Sequence, residues 1–153
     1  MRVLDSHRGA VIACLLRRIR RKVAQDQNLA GIQEVIDRFV SLFGVDNSGI
    51  VAMFTQDAVA VGTGADEVSF GLAEIRSEMD QDTSQIDELS MTLDAPSRIS
   101  VVGEAGFAYS DVVFAGSAGG QPFQIPARWT LGLIRINSDW MIAQLHFSVP
   151  DSQ

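Results

Sequence analysis

Aspartate is depleted in β-strands, so Asp111 needs a reason to stand mid-run in Phe107-Ala108-Tyr109-Ser110-Asp111-Val112-Val113-Phe114. One reason is chemical. A carboxylate enclosed in an apolar pocket has its pKa raised by desolvation and is suited to proton transfer. Tyr109 shares its face and either donates a hydroxyl to a bound carbonyl or, by default, is a partly buried core tyrosine. The other reason is structural: Asp111 pairs across the sheet with Arg128. If Gly119-Gly120 forms a two-residue turn, facing residues sum to 239 and Asp111 lies opposite Arg128. With a bulge or one more residue in the connection, Asp111 joins the Trp129/Leu131 face as a pocket liner and the best candidate for a catalytic group. His146 is a second acid–base candidate, but it shares a strand face with Gln144 and reads first as an interface or structural histidine. Cys14 falls near Arg17, Arg18 and Arg21 on a helical wheel, a setting that lowers a thiol pKa, although an inert thiol is the default.

Other chemistries are excluded by composition. One cysteine allows no internal disulfide, and two distant histidines with no matching carboxylate pair give no metal-ligand spacing. No metal and no cofactor is therefore expected. The chain has 153 residues, 46% hydrophobic and 20% charged, enough for one domain with a sizeable core. Its net charge of −7 is divided unevenly: residues 1–28 hold seven basic residues against Asp5 and Asp26, a net +5, which leaves −12 on the rest. An acidic body repels phosphate backbones, so nucleic acid is not an expected partner for it. No run approaches the ~20 apolar residues that cross a bilayer, and the basic cluster follows the Ala10–Leu16 run, the wrong order for a secretory signal. The default location is the cytoplasm.

The elements that must position these residues follow from periodicity. Over residues 10–24, Val11, Ile12, Leu15, Leu16, Ile19 and Val23 fall within an arc of roughly 140°, with Arg17, Arg18, Arg20, Arg21 and Lys22 around the remainder. Such a helix docks on a membrane surface or a partner, packs its stripe on its own domain, or is an extension of no consequence; the last two are the default, because basic faces are usually just solvated. A second helix is predicted over Leu29–Phe43 and is stopped by Gly44, and a short third one is capped by Asp46 or Ser48. Short strands at 58–61 and 68–70 precede a helix over 72–82, with Glu74 near its positive end. Strands then follow at 91–94 continuing to 98–102, at 106–115, at 123–136 and at 140–149. Helices first and an antiparallel meander afterwards is the α+β pattern.

Parity assigns the faces of the last strands. Met141, Ala143, Leu145 and Phe147 form one face of the final strand, opposed to Trp140, Ile142, Gln144, His146 and Ser148. Trp129, Leu131 and Leu133 likewise oppose Arg128, Thr130, Gly132 and Ile134. The purely apolar set is expected to meet the helices. The mixed set still carries Trp140, Ile142, Ile134 and Ile136, too much apolar area to leave wet. This predicts a homodimer through Arg128, Trp140, Ile142, Gln144 and His146, burying over ~1,000 Å².

Several segments resemble the nuclear transport factor 2-like superfamily, particularly its SnoaL-like branch. They are Met53-Phe54-Thr55-Gln56-Asp57-Ala58-Val59, Gly62-Thr63-Gly64-Ala65-Asp66-Glu67, Phe70-Gly71-Leu72-Ala73-Glu74-Ile75 and Asp139-Trp140-Met141-Ile142-Ala143-Gln144-Leu145-His146-Phe147-Ser148. The resemblance implies a cone-shaped α+β fold over residues 29–150, with a basic extension at 1–28, helices over a curved antiparallel sheet, and an enclosed pocket. The superfamily includes isomerases, dehydratases, cyclases and hydrolases beside non-enzymatic modules, so the fold leaves the reaction open. In the similar association domain of calcium/calmodulin-dependent kinase the pocket is lined by arginines. An ungapped alignment puts those positions at Asp111, Leu131 and Phe147, none of them basic, which speaks against an anionic ligand. The expectation is an apolar pocket lined by Tyr109, Asp111, Trp129, Leu131 and Phe147. It would bind a small apolar ligand, with acid–base chemistry on a carbonyl or hydroxylated ring compound. The alternative is a non-catalytic association or regulatory module that dimerises through its sheet.

Overall fold

The computed structural model describes residues 3–150, with side chains from Ile12 onward. A single helix, α1 (Val3–Leu42), replaces the two predicted ones, because Gln25-Asp26-Gln27-Asn28 contains neither Pro nor Gly to interrupt it. It ends at Gly44, whose φ of 76° only glycine adopts without penalty, and the N–H groups of Val45 and Asp46 both donate to the Leu42 carbonyl. Helix α2 (Asn47–Val51) is capped by Asp46, whose Oδ1 accepts from the Gly49 N–H at 2.9 Å. Strands β1 (Phe54–Val61) and β2 (Val68–Phe70) lead into α3 (Gly71–Ser84). There the Glu74 carboxylate accepts from the Phe70 N–H at 2.8 Å, satisfying a donor at the helix start.

Five strands complete the chain: β3 (Glu88–Leu93), β4 (Arg98–Val102), β5 (Ala105–Ala118), β6 (Gln121–Ile136) and β7 (Asp139–Ser148). They form one seven-stranded sheet in the order β2-β1-β7-β6-β5-β3, with β4 beside β5. Strands β3 and β4 pair with successive parts of β5, so they lie end to end along its edge. The pairing of β1 with β7 is parallel and every other pair is antiparallel, so the sheet is mixed rather than wholly antiparallel.

The core lies between α1 and the sheet. Ile32, Ile36 and Phe39 recur at helical spacing, are essentially fully buried, and join Trp129, Leu131, Leu133 and Ile142 in one cluster. The helix comes so near β5 that a Cβ on Gly106 would collide with Ile32 Cδ1. At the edge of this contact Arg135 ties three elements together. Its Nη1 donates to Asn28 Oδ1 at 2.7 Å, its Nε and Nη2 each reach Glu104 at 2.8 Å, and its guanidinium lies 5.9 Å from the Trp140 ring centre.

Two expectations are corrected here. Trp140 and Ile142 belong to the core, not to an outer interface: they are 8% and 0% exposed. The reason is a bulge in β7. Leu133 faces Ile142 while Gly132 faces Gln144, which leaves Ala143 unpaired and shifts the inward parity from Trp140/Ile142 to Leu145/Phe147. The apolar stripe of the basic segment, in turn, does not pack on the domain. Ile12, Leu15, Leu16, Ile19 and Val23 are each about half exposed, and the Val11 side chain lies outside the described residues.

These placements set opposite mutational costs on one helix. Ile36→Ala should destabilise by about 2–5 kcal/mol in urea unfolding, as a buried large-to-small change. Ile19→Ala should stay within about 0.5 kcal/mol of wild type.

Candidate functional site

A cavity of about 540 Å³ opens between α1, α3 and the sheet. Its apolar wall is rich in phenyl rings: Phe39 of α1, Phe43 just past its end, Phe54 of β1, Phe114 of β5, Phe123 of β6 and Phe147 of β7. The rings brace one another. Phe114 meets Phe147 edge-on at 5.1 Å and stacks on Phe43 at 5.4 Å, while Phe39 packs 4.9 Å from Trp129. Ile75, Met79, Ile125 and Leu145 extend the apolar lining, and Ala60 of β1 adds a small side chain to it.

Helix α3 supplies the polar side. Ile75, Glu78, Met79 and Asp82 follow i, i+3, i+4, i+7 spacing, so one helix face presents two apolar side chains and two carboxylates to the cavity. Asn47 fixes the far end of that helix, its Nδ2 donating to Asp80 Oδ1 at 2.9 Å, Thr83 Oγ1 at 3.0 Å and the Met79 carbonyl at 3.2 Å. Glu78 is half-buried and accepts from the buried Ser69 hydroxyl at 2.9 Å. Glu67 adds a third carboxylate, held by the Gly64 N–H at 2.6 Å and more loosely by Thr63 Oγ1 at 3.4 Å. Thr63, Asp82 and Gln85 are exposed and flank the mouth.

The lining therefore carries three carboxylates and, among the described residues, no Lys, Arg or His. Partial desolvation at the cavity mouth raises the Asp82 carboxyl above its ordinary value, and the negative charges of Glu67 and Glu78 raise it further. A carboxyl so placed holds its proton more readily than a solvated one. It can donate a hydrogen bond when protonated and accept a proton when ionised. Among the described residues no group of three or more His, Cys, Asp or Glu is arranged to hold a metal ion.

The residues singled out from sequence are only partly brought together. Phe147 lines the cavity. Trp129 and Leu131 point the same way but are core residues beneath it, 1% and 3% exposed. Tyr109 and Asp111 stand on the opposite face of the sheet. The Gly119-Gly120 turn, with both φ angles positive, sets Asp111 against Arg128 in the two-residue register. Asp111 is exposed and accepts from the Tyr109 hydroxyl at 2.7 Å, and this bond is the chief cause holding the phenol above its ordinary pKa. His146 is exposed on that outer face, as is Arg128, and Gln144 is half-buried beside Gly132. Cys14 is exposed on α1.

Glu67, Glu78 and Asp82 were missed from sequence. Their signal is legible in retrospect for two of them. Glu78 and Asp82 fall on the same wheel face as Ile75 and Met79, and carboxylates on the apolar side of a helix ask for a polar cavity wall. Glu67 gives no such signal, because it reaches the site through a loop.

A family model for the SnoaL-like domain matches residues 32–152. No curated protein matches the chain in sequence. Solved structures of similar fold include an NTF2-like protein with a cystatin-like fold from Novosphingobium aromaticivorans, 18% identical over 90% of each chain with a TM-score of 0.74. A protein of the same bacterium, provisionally named an aromatic ring hydroxylase, is 16% identical over 80% of this chain and 89% of its own, with a TM-score of 0.72. A ketosteroid isomerase-like protein from Erwinia carotovora atroseptica is 16% identical over 81% of this chain and 97% of its own, with a TM-score of 0.70. At these identities the likeness is one of fold.

The raised carboxyl has a consequence for stability. A group whose pKa is higher in the fold than in the unfolded chain favours folding while protonated and loses that contribution as pH rises through its folded range. Asp82→Asn, which stays neutral, should melt above wild type at pH 7. The difference should shrink toward zero as pH falls below the ordinary aspartate range, as read by thermal melts of both proteins across pH.

Proposed function

The chain belongs to the SnoaL-like domain family, and from that premise and its cavity we propose that it binds a small, largely apolar ring compound, with Asp82 as the acid–base group. The observation that carries the reading is the division of the cavity into a wall of six phenyl rings and a rim of three carboxylates. The rings favour a flat apolar body through burial and edge or face contacts. The carboxylates are acceptors, so the polar end of the ligand is a donor such as a hydroxyl, or a carbonyl met by Asp82 in its protonated form. Glu78, oriented by Ser69, fixes that end while Asp82 exchanges the proton. The proposed location remains the cytoplasm.

A thermal-shift screen of hydroxylated and carbonyl-bearing aromatic and steroid-like compounds tests the reading. A ligand at a hundred times its Kd stabilises by about 2.7 kcal/mol, which for a domain of this size raises Tm by about 5–10 °C. Ala60→Phe, which fills the cavity from β1, should abolish the shift without unfolding the protein. Asp82→Asn should preserve binding of the apolar body while stopping any turnover. No shift with any compound in wild type would overturn the proposal.

We propose also that the chain forms a homodimer through the outer face of the sheet. The corrected anchors are Val102, Phe107 and Ile134, which are 71%, 54% and 38% exposed there, beside Arg128, Gln144 and His146. An isologous contact that covers these residues removes the largest apolar side chains of that face from water. Light scattering should give twice the chain mass, and Phe107→Glu should return it to a single chain; a wild-type monomer at tens of micromolar would contradict this.

A further inference from the structure

Among the described residues, nothing in the domain covers residues 12–27 of α1. From Ile12 to Gln27 nearly every side chain is exposed, and the first firm tether is Arg135 on Asn28. At 1.5 Å per residue this segment projects for about 24 Å as a continuation of the helix that Ile32, Ile36 and Phe39 anchor in the core. Its surface is ordered. Ile12, Leu15, Leu16, Ile19 and Val23 fall within about 100° of the wheel and are 49–58% exposed. Arg20 and Lys22 border the stripe on its two sides, and Arg17, Arg18 and Arg21 occupy the opposite face, with no acidic residue between Ile12 and Asp26.

We propose that residues 12–26 of α1 dock the domain on an anionic lipid bilayer. The helix lies in the headgroup plane, its stripe sunk into the acyl boundary and its basic side chains on lipid phosphates and carboxylates. No helix among the described residues is long and apolar enough to cross a membrane, so the helix rests on the surface. The stems of Arg20 and Lys22 cover the edges of the stripe while their charges reach the headgroups.

Charge decides between this occupant and others. Pairing the stripe with the same stripe of a second copy would bring two clusters of five like charges together. The stripe also ends after two heptads at Asp26, short of the three or four that sustain a coiled coil. The outer sheet face of a second copy offers exposed apolar residues, but they stand among Arg98 and Arg128 as well as Asp111, which is a mixed field. An anionic bilayer presents negative charge directly above an apolar layer, the order this helix needs. At physiological salt the ~8 Å screening length damps repulsion from the more distant acidic groups, so the five basic side chains of the segment dominate the local field.

The test is co-sedimentation of the full-length chain with vesicles of phosphatidylcholine alone and of phosphatidylcholine containing one third phosphatidylserine. Binding should be at least ten-fold stronger to the anionic vesicles and should disappear at about 1 M salt, where the screening length is about 3 Å. Arg17→Gln, Arg18→Gln and Arg21→Gln should each weaken it about five-fold. Leu16→Gln with Ile19→Gln should reduce it to the level of the neutral vesicles. These side chains are exposed, so circular dichroism and melting temperature of the variants should match wild type, which separates lost docking from lost folding. Equal binding to both vesicle types, no binding to either, or binding that survives the Leu16/Ile19 pair would each overturn the proposal. So would lipid-free self-association that Ile19→Gln abolishes and Phe107→Glu leaves intact, because it would assign the stripe to a second copy.

Discussion

The seating of the Ile32–Ile36–Phe39 ridge on the inner face of the sheet is the contact on which the rest depends. It needs two local devices. Gly106 leaves room for Ile32 of α1 against β5, and the unpaired Ala143 lets β7 present Trp140 and Ile142, then Leu145 and Phe147, to the same side. Without the bulge, strict alternation would send half of those large apolar groups to water. With it, β7 covers α1 near Gly31 and still contributes Phe147 to the cavity wall.

The cavity follows from how that ridge ends. Phe39 is shared between the core and the cavity, resting on Trp129 on one side and lining the empty space on the other. Farther along, α1 and the sheet meet through rings rather than compact aliphatic packing, and α3 closes the side with a face of alternating apolar and acidic residues. Gathering three carboxylates at one rim disfavours their charged forms: the Asp82 carboxyl is raised first by partial desolvation and then by the charges of Glu67 and Glu78. Unfavourable electrostatics retained in a cavity is the pattern expected of a site kept for its chemistry. The ring-braced wall makes the apolar half rigid, while the acidic half lies on α3 and the Thr63–Glu67 loop.

Charge is distributed by the same division of labour. The part of α1 that enters the core carries its polar residues outward in the usual way, and the part beyond it carries basic residues around a stripe that nothing in the domain covers. Because one unbroken helix joins the two, the position of the basic segment is set by the core contact. Arg135 reinforces the junction, its fork on Glu104 and its hydrogen bond to Asn28 fixing where the helix leaves the sheet. The Arg135 hydrogen bond to Glu104 is the chief cause holding that carboxyl below its ordinary range.

Sequence by itself determined the element types and order, the Asp46 cap, the stop at Gly44, the α+β class and the family resemblance, because each is written in local periodicity or in short turn chemistry. It also held both registers open for Asp111, and only the positive φ angles at Gly119 and Gly120 settled which face that residue takes. The wrong face for Trp140 and Ile142 has a clear origin. Parity counting assumes period two, and a bulge is a one-residue exception stabilised by contacts with β1, β6 and α1 that lie far away in the chain. The same holds for the site. Glu78 and Asp82 carry a helical signal, but Glu67 and the six phenyl rings come from separate elements, and nothing in their spacing says that they meet. Local sequence specifies the surface each element offers; which surfaces face one another, and so where a cavity opens and which carboxylates feel each other's charge, is decided only when the whole sheet closes against α1 and α3.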